Sequence, residues 1–264
     1  MNGSSPLLSV REVSLSFKNV SALTRVSCGV AKGSITSLIG PNGAGKTSML
    51  NCISGRYTPT KGSIFMGERE LTGVPAHKRT GFGLARTFQN IALFRGLSVL
   101  DNLMVGRHSR LNYGLLASIL YLGKARAEED RHRQRVEEII DFLNLSAYRH
   151  QIAGHLPYGV QKKVELGRAL AAEPELLLLD EPMAGMNLEE TEDMARSILD
   201  INEEWGVTVF LVEHDMGVVM DISDHVIVLD FGRVLASGTP AAVQSNPNVI
   251  SAYLGDDDAL YKGR

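Results

Sequence analysis

The sequence predicts an α/β fold: a parallel sheet with helices on its faces, joined by an antiparallel β subdomain and an α-helical subdomain. Three observations carry that expectation. An apolar strand, Ser34 to Ile39, runs into a glycine-rich segment from Gly40 to Thr47, and a short helix closed by Gly55 follows. A second run, Leu176 to Leu179, is continuously apolar, as a central parallel strand covered on both faces must be. Between them, from about Gln89 to Gln161, the pattern turns to helices and loops.

Taken in order, Leu7 to Val30 alternates apolar and polar residues around a turn, which suggests antiparallel strands. The phosphate loop and its helix come next, then a short strand at Gly62–Gly67 and a loop to Arg79. In the helical region Val136, Ile139, Ile140 and Leu143 fall at i, i+3, i+4 and i+7, one apolar stripe. The preceding run, Arg126 to Arg135, mixes arginines with Glu128, Glu129 and Asp130 and reads as a solvated face. After Pro174 the α/β rhythm returns. Leu176–Leu179 is followed by a helix through Met194, Ile198, Ile201 and Trp205 that ends near Gly206, and then by a buried strand at Val207–Val212. Val226–Leu229 and Val234–Ala236 flank a turn and form a hairpin, and Thr239-Pro240 opens a short helix in cap-then-proline order. The tail with Asp256, Asp257 and Asp258 is expected to fray. The whole reads as one domain, residues 1–264. Residues 1–88 and 162–264 form the core with its antiparallel strands, and 89–161 form the helical subdomain.

Bulk properties narrow the function. The chain has 264 residues, 44% hydrophobic and 22% charged, within the range of soluble globular proteins. A formal charge of −3 disfavours broad nucleic-acid binding. Cys28 and Cys52 lie in apolar stretches without metal-ligand spacing and read as buried, reduced thiols of a cytosolic protein. His150 and His155 do not make a convincing metal pair. The start lacks the basic and apolar regions of a secretory signal, and no run of 18 apolar residues is present to span a membrane. Leu111 to Leu122 is the most apolar segment and is expected to pack on its own subdomain.

The chemistry begins at the glycine-rich segment. Gly40, Pro41, Asn42, Gly43, Ala44, Gly45, Lys46 and Thr47 match G-x-x-x-x-G-K-[ST], which arises by chance in roughly one chain per hundred of this size. The glycines let backbone N–H groups wrap a nucleotide's phosphates, and the helix N-terminus, with Ser48 in its first turn, adds a positive dipole end. Lys46 is placed to reach the β- and γ-phosphates and Thr47 to ligate Mg²⁺. The strand at Leu176 ends in Asp180 and Glu181. Two buried carboxylates repel each other without a cation, so Asp180 is expected to hold Mg²⁺ through water and Glu181 to polarise the attacking water. Asp230-Phe231-Gly232 matches a kinase metal motif in letters only; it sits in a hairpin turn without a catalytic-loop partner.

With these pieces in place, the chain resembles the ATP-binding cassette (ABC) ATPases. Gln89 in Arg86-Thr87-Phe88-Gln89, the stretch Leu156 to Gln161, Asp180-Glu181-Pro182, and His214 in Val212-Glu213-His214-Asp215-Met216 follow that family's order along nearly the whole chain. The chain is most similar to the ATPase subunits of branched-chain amino acid importers. Ala184 to Asn187, Val212 to Met216, Asn246 to Gly255 and the insert near residues 106–124 carry that similarity. The resemblance implies the P-loop NTPase core of an ABC ATPase, which binds ATP and Mg²⁺. It makes Phe17 an adenine-stacking aromatic, the alternative being a core aromatic. It makes Gln89 a contact to Mg²⁺ and the attacking water, and His214 a contact to the γ-phosphate. The signature segment departs from Leu-Ser-Gly-Gly-Gln: Pro157 stands at the serine position, Tyr158 follows, Gly159 is retained, and Val160 precedes Gln161. A contact to ATP there is expected from the Gly159 backbone and the N-terminus of a helix starting near Gln161.

The resemblance also implies partners. Two ATPases face head to tail with ATP between one phosphate loop and the other's signature helix, and their closure drives separate transmembrane permease subunits. Residues Phe94 to Gly106 are the candidate docking surface for a permease helix. The second ATPase is expected to be a different chain, a heterodimer, with a homodimer as the alternative. An external solute-binding protein acts indirectly, no nucleic acid is involved, and the chain sits peripherally on the cytoplasmic side of the membrane. Branched-chain amino acids lead as cargo; urea, short amides or another small solute, and export in place of import, stay open. A soluble relative acting on DNA or ribosomes fits less well, because the chain has one cassette and no sustained heptads.

Overall fold

The computed structural model describes residues 6–110 and 124–253. The apolar segment Leu111–Leu122 and the acidic tail at Asp256–Asp258 lie outside the described residues. Among the described residues ten strands form two sheets. β1 (Leu8–Phe17), β2 (Val20–Val30), β4 (Lys61–Met66) and β5 (Arg69–Glu70) make an antiparallel sheet in the order β2-β1-β4-β5. β3 (Ile35–Ile39), β6 (Leu84–Arg86), β7 (Leu176–Asp180), β8 (Thr208–Val212), β9 (His225–Asp230) and β10 (Arg233–Gly238) make the other, in the order β10-β9-β3-β8-β7-β6. Within it β9, β3, β8, β7 and β6 run parallel, and only β10 is antiparallel.

Every residue of β3, β7 and β8 is buried, which explains their unbroken apolar runs. Each leucine of Leu176–Leu179 removed from water contributes about 1.5–3 kcal/mol, so these strands anchor the core. The side chains of β7 alternate between two clusters, Leu177 and Leu179 on the helical side, Leu176 and Leu178 toward the antiparallel sheet. Cys52 is buried and Cys28 half-buried, both as free thiols.

The helices are α1 (Lys46–Ser54), α2 (Ala76–Arg79), α3 (Val99–Gly106), α4 (Lys124–Phe142), α5 (Tyr158–Leu170), α6 (Leu188–Trp205), α7 (Met216–Ile222) and α8 (Pro240–Gln244). Their ends follow local rules. Gly55 and Gly206 close α1 and α6 in the left-handed conformation, Asn187 and Glu190 form a capping box at the start of α6, and Thr239 caps α8 with Pro240 in its first turn. The α4 stripe of Val136, Ile139 and Ile140, continued by Leu143, is wholly buried against α3 and α5. A three-residue strand, β6, falls where the sequence has no period to show it.

Among the described residues no helix is long and apolar enough to cross a membrane.

Candidate nucleotide-binding site

Parallel strands deliver the candidate residues to one edge of the sheet, past their C-terminal ends: Gly40 follows β3, Gln89 follows β6, Glu181 follows β7 and His214 follows β8. At Gly40 the chain turns with φ 149°, and a Cβ there would lie 2.1 Å from the Leu229 carbonyl oxygen. Gly45, at φ 103°, would place a Cβ 2.7 Å from the Ala22 carbonyl oxygen. The close approach comes from two supports on the loop. Gly232 donates its N–H to the Ala44 carbonyl at 2.9 Å, and Thr24 donates to the Gly232 carbonyl at 2.8 Å. The Asp230-Phe231-Gly232 turn therefore braces the phosphate loop from β9 and β10.

Gly45 supplies no side-chain cap to α1, so the first N–H groups of the helix are left for a ligand. Lys46 is buried, and its ammonium donates to the Gly40 and Pro41 carbonyls at 2.5 and 3.1 Å. Burial pulls its pKa down while the Glu181 carboxylate pushes it back up. A buried ammonium held only by loop carbonyls gains strongly from a phosphate group. Thr47 is exposed and Ser48 half-buried beside it.

Asp180 is buried and paired with Arg86, Oδ2 to Nη2 at 2.8 Å. Arg86 also donates to Asn51 Oδ1 at 2.8 Å and Ser54 Oγ at 2.7 Å, tying β7 to the phosphate-loop helix. The other oxygen, Asp180 Oδ1, is buried with no hydrogen-bond partner. An orphaned carboxylate oxygen at this place fits a cation or its bound water. Glu181 adopts a left-handed backbone, φ 48°, with its N–H on the Val212 carbonyl at 2.9 Å. A non-glycine residue held there is strained, and the C-terminal end of β8 fixes it. Its carboxylate accepts a hydrogen bond from Gln89 Nε2 at 2.9 Å.

The His214 side chain is 63% exposed, with Nδ1 3.7 Å from Glu213 Oε2. Glu213 is buried, and its carboxylate accepts from the Met183 and His214 N–H groups at 3.0 and 3.1 Å, joining the segments after β7 and β8. Burial pushes the Glu213 carboxyl above the usual range.

The signature segment differs from expectation at one point. The helix starts at Tyr158, with Pro157 as its N-cap, and not near Gln161; the proline's fixed φ presets the entry and Gln161 N–H makes the first helical bond, to Pro157 at 3.0 Å. Gly159 therefore lies in the first turn, where its N–H has no helical partner, and a Cβ on it would lie 2.6 Å from Glu190 Oε1. Tyr158 donates its hydroxyl to the Ala184 carbonyl at 3.1 Å, and Gln161 Nε2 donates to the Leu156 carbonyl at 2.8 Å. Phe17 lies on the surface at the end of β1, 45% exposed, edge-on to Tyr57 with ring centroids 5.1 Å apart. The core alternative for Phe17 is thus not what the fold adopts.

Sequence reasoning singled out none of Arg86, Lys162 or Glu213. Their signal was a charge at the end or on the apolar face of a buried element, visible only once that element's buried face is known.

The model of the ABC transporter family matches residues 23–184, and that of the branched-chain amino acid ATP-binding cassette transporter matches residues 233–259. The chain belongs to the ABC transporter family. It is 40% identical to the high-affinity branched-chain amino acid transport ATP-binding protein BraF of Pseudomonas aeruginosa, over 96% of this chain and 99% of that one. It is 39% identical to the corresponding LivG protein of Escherichia coli K12, with the same coverage. Among solved structures, an ATP-binding cassette of an ABC transporter in its ADP conformation matches with TM-score 0.83 and 30% identity, covering 96% of this chain and 100% of that one. A nucleotide-free cassette matches with TM-score 0.82 and 30% identity, covering 94% and 99%. The family assignment makes this chain an ATP-binding, ATP-hydrolysing transporter subunit, as the order of its motifs implied.

Proposed function

We propose that the chain is the ATP-hydrolysing subunit of an importer for branched-chain amino acids, with Glu181 as the group that activates water. The Gln89–Glu181 contact at 2.9 Å beside the phosphate loop is the observation that carries the site reading. In it Gly40 to Ser48 cradle the phosphates, Lys46 neutralises them, Phe17 takes the adenine face, and His214 reaches the γ-phosphate from its exposed position. Thr47, Asp180 and Gln89 would hold Mg²⁺, and the orphaned Asp180 oxygen supports this assignment. The ion would neutralise charge developing on the phosphates. Gln89 orients the Glu181 carboxylate, and Glu181 accepts the water's proton.

A second ATPase would supply the first turn of its signature helix to this ATP, through the backbone around Tyr158, Gly159 and Gln161, and we expect that partner to be a different chain. The permease subunits would dock where Phe88, Phe94 and Val105 open onto a groove of about 650 Å³ shared with Arg56, His77 and Arg168. Docked in this way, the chain would sit peripherally on the cytoplasmic face of the membrane. The test is purification of the tagged chain from its own membranes: a second short ATPase and two polytopic subunits support the reading, and ribosomal or DNA-associated partners alone reject it. Lys46→Ala is expected to weaken nucleotide binding about tenfold or more, because a charge-assisted contact is lost. A direct nucleotide titration checks it, and unchanged affinity removes Lys46 from the site.

A further inference from the structure

α5 carries three charged residues at successive three-residue steps, Lys162, Glu165 and Arg168, on its inward face. Lys162 and Glu165 are almost wholly buried, at 3% and 2% exposure. All three grip one short piece of chain. Lys162 Nζ donates to the Gln89 carbonyl at 2.9 Å, Glu165 Oε1 accepts from the Phe88 and Ala92 N–H groups at 3.4 and 3.3 Å, and Arg168 Nη1 donates to the Ala92 carbonyl at 2.6 Å. Thr87 still donates its N–H to the Leu178 carbonyl of β7 at 3.0 Å, but from Phe88 to Leu93 the segment has no sheet or helix bonds of its own. Among the described residues, the backbone hydrogen bonds of Phe88–Leu93 come from these three side chains.

Lys162 also reaches the Glu181 carbonyl at 3.5 Å, so one ammonium spans the two residues whose side chains meet at 2.9 Å. Burial pulls its pKa down, and the carboxylates of Glu165, Glu213, Glu181 and Asp180 oppose that. Burying several charges costs free energy that an apolar stripe on the same helix face would not. A purely packing role would thus be served better by leucines, whereas backbone donors and acceptors at fixed places need charged partners.

We propose that Lys162, Glu165 and Arg168 are positioning residues: a clamp through which the signature helix sets the Gln89 loop and hence the Gln89–Glu181 contact. The clamp makes the Gln89 loop move with the helix whose first turn is assigned to the partner's ATP. Arg168 lines the groove given to the permease, so the same helix face touches both. The proposal rests on the roles given above to Gln89 and Glu181.

The test is a double-mutant cycle in the full-length chain, with Lys162→Met, Gln89→Ala and both together, reading kcat for ATP hydrolysis and nucleotide affinity by titration. Lys162→Met is expected to lower kcat about tenfold with affinity held within about twofold, to add little in the Gln89→Ala background, and to be largely rescued by Lys162→Arg. Losses that multiply, or affinity that falls in step with kcat, overturn the clamp and leave the site reading standing. Gln89→Ala turning over at the native rate sinks both. If Lys162→Met does not fold, Glu165→Gln, which keeps shape and volume, gives the same cycle with the same criteria.

Discussion

Glu181→Gln is expected to bind ATP as the native chain does and to lose about 10²-fold or more in turnover. The substitution keeps the side chain's size and leaves the strained backbone at φ 48° pinned to the end of β8, so geometry is preserved while the proton acceptor is lost. Its neighbour cannot take over. Asp180 is buried and held by Arg86 at 2.8 Å, whereas Glu181 is half-buried and meets only the neutral amide of Gln89 among the side chains it bonds. Phosphate release and a nucleotide titration on the same preparation separate the two effects. Turnover at the native rate would remove Glu181 from its role, and lost binding would make it a structural residue.

That difference between the two carboxylates also shows where sequence reasoning stops. Asp180 and Glu181 are adjacent, and from the sequence both needed a cation to avoid repulsion. In the fold only Asp180 is deeply buried, and a protein cation already faces it, from 94 residues away along the chain. The phosphate loop, the all-leucine strand and the capped helix ends were legible because each is encoded within a dozen residues. Arg86, Lys162 and Glu213 were not, because their meaning lies in which face of β6, α5 or β8 turns inward and what meets it there. The signature helix is an intermediate case. A proline before it was visible, yet its use as the N-cap, which brings Gly159 into the first turn, depends on how Tyr158 and Glu190 pack around it.

Arg79 is the most demanding instance of a charge placed by the fold, and Arg79→Met is expected to destabilise the chain by about 3 kcal/mol or more. The residue is 1% exposed and has no carboxylate partner among the contacts found for it. Its guanidinium instead donates to four backbone carbonyls: Nε to Val74 at 2.8 Å, Nη1 to Cys52 and Ile53 at 2.9 and 2.5 Å, and Nη2 to Leu71 at 2.6 Å. Cys52 and Ile53 belong to the last turn of α1, whose carbonyls lack the regular helical donor four residues on and whose dipole end is negative; the capping Gly55 N–H reaches the Cys52 carbonyl at 3.3 Å. The cation thus caps the helix that begins with Lys46 and Thr47, and binds it to the loop and short strand of the antiparallel sheet. Methionine fills much of the volume but donates nothing, so buried carbonyls lose their partners, each loss costing about 1–3 kcal/mol. For a chain of this size a loss of 3 kcal/mol corresponds to a fall in Tm of about 5 °C. Thermal unfolding followed by circular dichroism measures it, and ATP should raise the Tm of both chains by similar amounts, because a ligand bound at the other end of α1 adds its binding free energy to either folded state. An unchanged Tm would mean that water or a shifted α2 replaces the guanidinium, and that α1 is held from its phosphate-loop end alone.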